Sequence, residues 1–245
     1  MMIPEKQALI YEGKAKQVYS TTNPDDVIIR YKDDATAFNG IKKSTIANKG
    51  LINNEITSLI FEYLAHKGIV THLIQRLDER EQLCKKVHII KVEVIIRNVI
   101  AGSMAKRLGL KEGMIPPNRI YEMCYKNDEY QDPLINEDHA VAMGIANYEE
   151  LDRIKKAALK INQYLYEFMD NIGIILVDLK LEFGKDRFGN ILLADEISPD
   201  TCRFWDKSTQ KKLDKDRFRR DLGNIEEAYE EIRDRIKQAL RDTTW

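Results

Sequence analysis

Short apolar runs separated by turn residues dominate the first third of the chain, and they predict β-strands. We expect strands over residues 8–11, 17–20 and 27–31, because glycine or proline punctuates the segments between them. A longer stretch, over residues 45–67, carries apolar residues at helical spacing and ends at Gly68, which predicts a helix. Further strands are predicted over residues 70–75, 84–90, 92–97 and 119–125, with a short helix over residues 102–108.

The rest of the chain predicts two long helices on either side of a β-hairpin. Apolar residues on one helical face run from Leu151 to Phe168, and a second such face runs from Ile225 to Leu240. Strands followed by helices, a hairpin and more helices predict an α+β fold. We expect a small β-rich N-terminal lobe over residues 1–90 and a larger mixed α/β lobe over residues 91–245, with a nucleotide cleft between them.

The hairpin predicted between these helices places several charged residues together. Asp178, Lys180 and Glu182 alternate with apolar residues, so they share one face of a strand. A turn-prone segment follows, and a second strand over residues 191–194 leads into Asp195. If the hairpin turns at residues 188–189, Glu182 and Asp195 lie opposite each other, although a slip of one or two residues is allowed.

Two carboxylates at this spacing predict a cation site. Carboxylates a few ångströms apart repel unless a cation lies between them, and Mg²⁺ prefers one or two carboxylates together with phosphate oxygens. The alternative is a solvated strand face with cross-strand ion pairs. The Ser198-Pro199-Asp200 turn that follows, and Arg203 among aromatic and acidic residues, favour a metal–phosphate site.

Three other segments carry candidate anion-binding or polar residues. Gly13 lies in a tight turn with Lys14 and Lys16. This composition suits phosphate binding, but it equally suits an ordinary hairpin turn. The turn matches neither a Walker A loop nor GxGxxG. Arg97 ends a predicted strand and Ser103 lies near a helix start, which suits an anion or a plain N-cap. The third is a polar loop that contains the residues Lys126, Asp128 and Asp132.

Composition limits the class of protein. Of the 245 residues, 43% are hydrophobic and 32% are charged, which is typical of a globular protein, and the net charge of −1 gives no electrostatic case for nucleic acid. The three cysteines lack metal-ligand spacing, which predicts reduced thiols in a cytoplasmic protein. The apolar run over residues 172–177 is far too short to span a membrane, so no membrane partner is expected.

Taken in order, seven motifs resemble those of one family. They are YEGKAK, DDATAFNG, RNVIAGSMAKRLG, NDEYQDP, DLKLEFG, DEISPDTCRFWD and DKDRFRRDLG. Over residues 10–223 the chain resembles phosphoribosylaminoimidazole-succinocarboxamide synthase (SAICAR synthetase) in its short bacterial form. One departure is visible, because the family usually has Leu-Gly where this chain has Tyr130-Gln131.

The resemblance implies an ATP-dependent ligase of purine biosynthesis. Its substrates are ATP, L-aspartate and 5-aminoimidazole-4-carboxylate ribonucleotide (CAIR), and its products are the succinocarboxamide SAICAR, ADP and phosphate. The γ-phosphoryl group passes to the CAIR carboxylate, and the aspartate amine then attacks the acyl phosphate. ATP and Mg²⁺ are the implied cofactors, and the family suggests a homodimer.

The resemblance also implies a role for each motif residue. The residues expected to hold ATP and its metal are Gly13, Lys14 and Lys16 around the phosphates, Glu182 and Asp195 on Mg²⁺, and the backbone from Lys86 to Val92 against adenine. The residues expected around the other substrates are Lys180 near the transferred group, Arg97, Ser103, Asp178, Asp200 and Arg203 on CAIR, Lys126, Asp128 and Asp132 near aspartate, and Lys215 and Arg219 over the phosphate-rich cleft.

Two other functions fit the same sequence features. A two-lobed ATP site also fits a small-molecule kinase that stops after phosphoryl transfer, although the HRD and DFG motifs of protein kinases are absent from the sequence. It fits a non-enzymatic nucleotide-binding regulatory module as well, which would bind ATP without turnover.

Overall fold

The computed structural model describes residues 3–37 and 41–241, and its strands form two antiparallel sheets and a hairpin. Phe38, Asn39 and Gly40, which end the DDATAFNG motif, lie outside the described residues. In spatial order, the first sheet consists of β1 (Lys6–Glu12), β2 (Lys16–Thr21), β3 (Asp26–Tyr31), β7 (Glu81–Lys85) and β6 (Leu73–Arg76). The separate hairpin consists of β4 (Asp34–Ala37) and β5 (Lys42–Thr45).

The second sheet is built around one long strand. In spatial order, it consists of β10 (Leu134–Ile135), β9 (Ile120–Tyr125), β8 (His88–Arg97), β11 (Ile174–Lys185) and β12 (Ile191–Ala194), with β13 (Cys202–Asp206) beside the first half of β11. Strand β11 therefore has β8 on one edge and both β12 and β13 on the other.

Helices cover the second sheet and join it to the first. They are α1 (Lys49–His66), α2 (Gly102–Leu108), α3 (Glu137–Ala142), α4 (Tyr148–Asn171), α5 (Asp216–Arg219) and α6 (Ile225–Arg241). None of the described helices is long and apolar enough to cross a membrane.

The main core lies on one face of β11. Leu179, Leu181 and Phe183 are buried there among the apolar faces of α4 and α6. Burial of each such side chain stabilises the fold by about 1.5–3 kcal/mol. The alternate residues of the same strand therefore point to the opposite face, where the charged groups meet.

Helix α1 packs between the two sheets and connects them. Its residues Ile52, Ile56 and Ile60 belong to the main core although they come early in the chain, and α1 also packs against α6. The backbone of Leu193 makes a second connection. Its N–H donates to the Val70 carbonyl oxygen at 3.1 Å, and its carbonyl oxygen accepts from the His72 N–H at 2.8 Å. The α+β prediction is confirmed.

Several predicted boundaries are wrong for identifiable reasons. Helix α1 begins at Lys49 rather than at residue 45, because Thr45 pairs with Asp34 in the β4–β5 hairpin. The strand predicted over residues 84–90 is divided between β7 and β8, because the chain leaves the first sheet after Lys85 and enters the second at His88. Strands β4, β5, β10 and β13 were not predicted, since they are short and lack a clear apolar alternation.

Candidate active site

The β11–β12 hairpin sets the position of the two predicted metal ligands. Glu182 pairs with Ala194, so the predicted pairing of Glu182 with Asp195 is wrong by one residue. The reason is the length of the loop, because Lys185 pairs with Ile191 and residues 186–190 lie between the strands. The Asp186 carboxylate holds this loop by accepting from the Phe188 and Asn190 backbone N–H groups at 2.9 Å.

Asp195 nevertheless comes close to Glu182. It has a left-handed backbone with a φ of 60°, directly after β12 ends. Its carboxylate lies 3.3 Å from the ammonium of Lys180, which also forms an ion pair with Glu182. Aspartate and asparagine adopt this conformation more readily than other non-glycine residues, so Asp195 suits the sharp change of chain direction after β12.

Further charged groups complete this first cluster. Lys180 Nζ also contacts Glu93 at 3.2 Å, and Lys126 Nζ lies 2.8 Å from Glu182. Glu93 pairs directly with Glu182 across β8 and β11 and was not predicted as a site residue. Three carboxylates therefore share two ammonium groups on one face of the sheet.

Lys16 brings the first sheet into the same cluster. It lies on β2, and its ammonium forms ion pairs with Asp195 and, at 2.6 Å, with Glu196. Burial favours the neutral amine, but the two carboxylates outweigh it and raise the pKa of Lys16 well above its ordinary value. The pKa of Lys180 is likewise raised against the effect of burial, by Glu182, Asp195 and Glu93. Both lysines are therefore charged, which suits anion binding rather than proton abstraction.

The carboxylate pair fits a hard cation. Glu182 and Asp195 already contact the same positive group, the Lys180 ammonium, so a cation between them satisfies both. In the described part of the chain, no group of three or more His, Cys, Asp or Glu side chains is arranged for a metal. Mg²⁺ does not need such a group, because it is usually held by one or two carboxylates together with substrate phosphates.

A second cluster, rich in arginine, surrounds Asp178. Arg97 on β8 and Arg203 on β13 pair with Asp178 from its two sides. Their guanidinium groups approach the Asp178 carboxylate to 2.9 and 2.8 Å, and Arg203 also contacts Asp216 at 3.0 Å. Asp216 in turn forms an ion pair with Arg219 at 2.5 Å. A pocket of about 170 Å³ is lined by Arg97, Asp178, Arg203 and Arg219, and its wall also includes Lys180.

Asp200 closes one side of this pocket and is held by three groups. Lys49 at the start of α1 lies 2.8 Å away, Lys215 lies 3.5 Å away, and the Tyr229 hydroxyl donates at 2.8 Å. Burial would raise the pKa of Asp200, but the two lysines lower it well below its usual range. Asp200 is therefore an ionised carboxylate within a positive surrounding.

The predicted loops meet at a larger open cleft of about 670 Å³, which Lys14, Lys43 and Asp128 help to line. Lys14 forms an ion pair with Asp128 at 2.5 Å, while Gly13 closes the β1–β2 turn by donating to the Lys16 carbonyl oxygen at 2.8 Å.

The neighbouring polar loop is shaped by its own side chains. Asp132 accepts from the backbone N–H of Asn127 at 2.9 Å. Gln131, which stands where the family usually has glycine, has a left-handed φ of 61°. The departure from the family pattern therefore falls on a residue whose backbone conformation favours glycine.

Two predicted residues lie at the margin of the site. Ser103 is exposed at the edge of the smaller pocket, and its hydroxyl oxygen accepts a hydrogen bond from the Arg97 guanidinium at 3.4 Å. Lys86 is exposed between β7 and β8, where its backbone N–H donates to the Asp25 carbonyl oxygen at 2.7 Å. Its side chain forms no ion pair with the other candidate site residues in the described part of the chain.

Four residues of these clusters were missed by sequence reasoning: Glu93, Glu196, Lys49 and Asp216. Glu93 alternates with valines on a predicted strand and Glu196 follows Asp195, so both had a local signal. The sequence around Lys49 gives no indication that its side chain reaches Asp200.

Comparisons with known proteins point to one family. A family model described as SAICAR synthetase matches residues 9–236. A relative from Fusobacterium nucleatum named phosphoribosylaminoimidazole-succinocarboxamide synthase is 64% identical over 234 residues, which are 96% of this chain and 99% of the relative.

Solved structures agree with the sequence relatives. The crystal structure of phosphoribosylaminoimidazole-succinocarboxamide synthase from Ehrlichia chaffeensis is 49% identical and matches with a TM-score of 0.92 over 94% of this chain and 98% of that one. A SAICAR synthetase solved in complex with ADP is also 49% identical and matches with a TM-score of 0.90 over 92% of this chain and 96% of that one.

Proposed function

The chain belongs to the SAICAR synthetase family, whose enzymes perform an ATP-dependent ligation in purine biosynthesis, and we propose how its two charged clusters carry out that reaction. The reaction joins the amine of L-aspartate to the carboxylate of CAIR, with ATP converted to ADP and phosphate. One observation carries the proposal: Lys180 lines the arginine-rich pocket and also contacts Glu182 and Asp195.

The first cluster and the β1–β2 turn hold the nucleotide. Lys16 and Lys14 bind the ATP phosphates, with the backbone at Gly13 allowing their close approach. Glu182 and Asp195 would hold Mg²⁺, which would neutralise phosphate charge and orient the γ-phosphoryl group. The stretch from Lys86 to Val92 remains the proposed adenine contact, through its backbone rather than the Lys86 side chain.

The arginine-rich pocket holds CAIR. Arg97 and Arg203 carry fixed positive charge and bind its phosphate or carboxylate, with Ser103 at the rim. Asp178 orients the two arginines, and Asp178 and Asp200 orient the nucleotide. Lys215 and Arg219 close on the phosphate-rich side. Asp178, Lys180 and Arg203 are the proposed catalytic residues.

Lys180 connects the two clusters during phosphoryl transfer. A carboxylate oxygen of CAIR attacks the γ-phosphorus of ATP, the bond to the β-phosphate oxygen breaks, and ADP leaves. The Lys180 ammonium neutralises charge on the transferred group, a contribution that is larger in a water-poor site than in solvent.

The second step forms the amide. The aspartate amine attacks the acyl carbon, and phosphate leaves with the electrons of its C–O bond and takes up the proton that the nitrogen loses. Lys126, Asp128 and Asp132 are the proposed aspartate contacts, because their loop meets the β1–β2 turn at the larger cleft.

An ADP-release assay tests the function against its alternatives. Full turnover is expected only when ATP, CAIR and L-aspartate are all present. Steady ADP formation with CAIR alone would indicate a kinase, and ATP binding without turnover under any combination would indicate a regulatory module.

The domain boundary near residue 90 and a cytoplasmic location are also proposals. The change of sheet between Lys85 and His88 supports the boundary. Three free, buried thiols, at Cys84, Cys124 and Cys202, are typical of a protein in a reducing compartment.

A homodimer is proposed through the edge strand β1. Leu9, Ile10 and Tyr11 are exposed on this strand, which ends the first sheet. Antiparallel pairing of two β1 strands centred on Leu9 places Lys6 of one copy opposite Glu12 of the other, which is favourable in charge. Analytical ultracentrifugation of the Leu9→Asp variant tests this interface. If the variant is still a dimer, the dimer does not form through β1.

A further inference from the structure

Glu196 is a buried carboxylate with both oxygens in use. Only 3% of the residue is exposed. Its Oε2 lies 2.6 Å from Lys16 Nζ, and its Oε1 accepts a hydrogen bond from the Ser198 hydroxyl at 2.5 Å. The Ser198 oxygen also accepts from the backbone N–H of Asp200 at 3.1 Å, so the turn that carries Asp200 holds Glu196 in one orientation.

Lys16 contacts two carboxylates, and one of them, Asp195, is also a proposed Mg²⁺ ligand. Its ammonium has three hydrogen-bond donors and contacts Asp195 and Glu196. When Mg²⁺ takes Asp195, one of these two carboxylates is withdrawn from Lys16. Glu196 then occupies one of the three donors, which leaves two for phosphate oxygens.

We propose that Glu196 is a positioning residue that anchors Lys16 on the nucleotide phosphates while Asp195 serves the metal. The inference rests on the proposed function, since it needs Lys16 at the phosphates. It is carried by the geometry of the Glu196 carboxylate, which is fixed by Ser198 on one oxygen and bound to Lys16 with the other. A flexible lysine without such an anchor loses rotamer entropy when it binds phosphate.

A plain structural role makes a different prediction. If the Lys16–Glu196 pair only supports the fold, Glu196→Gln lowers stability and affects nucleotide binding independently of Lys16. If Glu196 acts through Lys16, its effect on nucleotide affinity disappears once Lys16 no longer carries a charge. A double-mutant cycle separates these two cases.

The experiment measures ADP affinity by isothermal titration calorimetry in saturating MgCl₂. The variants are Lys16→Gln, Glu196→Gln and the double variant, each checked for folding by circular dichroism. We expect each single change to weaken ADP binding by about tenfold, which is about 1.4 kcal/mol, and the double variant to bind no more weakly than Lys16→Gln alone.

A matched control is Glu55→Gln, which removes another buried carboxylate. Glu55 pairs with Lys237 at 2.8 Å and Arg76 at 3.3 Å, and we expect wild-type ADP affinity in this variant. Should Glu196→Gln fail to fold, Ser198→Ala provides the second test. It frees the Glu196 carboxylate but keeps its charge, and we expect a weakening of about threefold that is again absent in the Lys16→Gln background.

The outcomes separate the two proposals. Wild-type affinity in a folded Glu196→Gln variant, or an additive double variant, overturns the anchoring role and leaves the proposed function intact. Wild-type affinity in Lys16→Gln overturns the phosphate role of Lys16 under the proposed function, and the anchoring role with it.

Discussion

Glu93 and Glu182 occupy directly paired positions on β8 and β11, and the ammonium of Lys180 contacts both carboxylates. Like charges at paired positions destabilise a sheet unless a cation lies between them. The site therefore depends on a cation in the ligand-free protein, and its stability should respond to the loss of that cation.

Lys180→Met tests this dependence. Without Mg²⁺, we expect the free energy of unfolding to fall by about 2 kcal/mol, because the mostly buried Glu182 loses a partner. Millimolar Mg²⁺ should restore part of the loss by binding between the carboxylates. Chemical denaturation with and without MgCl₂ measures both effects. Lys155→Met removes a half-exposed pair with Glu137 and should show no Mg²⁺ dependence.

Asp195→Asn should abolish Mg²⁺-dependent turnover while the fold survives. Asparagine tolerates the left-handed backbone at this position, so the loss is one of charge rather than of conformation. We expect turnover to fall by about a hundredfold or more, and the coupled ADP-release assay measures it. Asp234→Asn removes an exposed carboxylate as a control, and retained turnover in Asp195→Asn would count against the metal role.

Arg203→Lys should weaken the binding of CAIR specifically. The Arg203 guanidinium contacts both oxygens of Asp178 and also Asp216, an arrangement that a lysine ammonium cannot reproduce. We expect the KM for CAIR to rise by about tenfold and the KM for ATP to stay unchanged. Steady-state kinetics with each substrate varied in turn provide the measurement. Arg187→Lys, at an exposed pair with Asp25, serves as the control.

Gln131→Gly should stabilise the protein. Gln131 has a φ of 61°, which glycine adopts without steric cost, while the greater freedom of glycine in the unfolded chain offsets part of the gain. We expect the free energy of unfolding to rise by about 0.5 kcal/mol, measured in urea. Gln131→Ala keeps the Cβ and should bring no such gain. An equal gain from alanine would mean that backbone strain is not the cause.

Because of Asp214, we expect the free energy of unfolding to decrease as the pH rises from about 4 to 7. Burial, with the neighbouring Asp216 charge, raises its pKa to about 7, even though it accepts a backbone hydrogen bond and lies near Arg203 and Arg219. Between its unfolded pKa of about 3.8 and its folded pKa, the native state binds a proton that the unfolded state has lost, so the native state is favoured at the low end of this window. Above pH 7 this contribution is constant.

Urea denaturation across this pH range, with Asp214→Asn for comparison, measures the contribution. The variant should lose the downward slope that Asp214 causes, whatever its absolute stability. Asp216→Asn is a poor control because Asp216 pairs with Arg203, so Asp170→Asn, on the surface of α4, is preferred. An unchanged slope in Asp214→Asn would rule out Asp214 as its source.

Much of the fold follows from local sequence patterns. The alternation along β11 correctly separates Leu179 and Leu181 in the core from Lys180 and Glu182 on the other face. The apolar stripe of α4 likewise identifies a helix with one buried side. The register of the β11–β12 hairpin was less accessible, because it depends on a five-residue loop organised by the Asp186 side chain.

The sequence by itself determined which residues share a face, because side-chain direction within one strand or helix follows from a fixed local period. Only the tertiary structure decided which faces meet. Lys16 on the first sheet forms an ion pair with Asp195 at the end of a strand of the second sheet. Arg97 and Arg203 flank Asp178 from different strands. Strand order, and the register between strands that are distant in the chain, depend on packing and hydrogen bonds between those strands, and no local period specifies them.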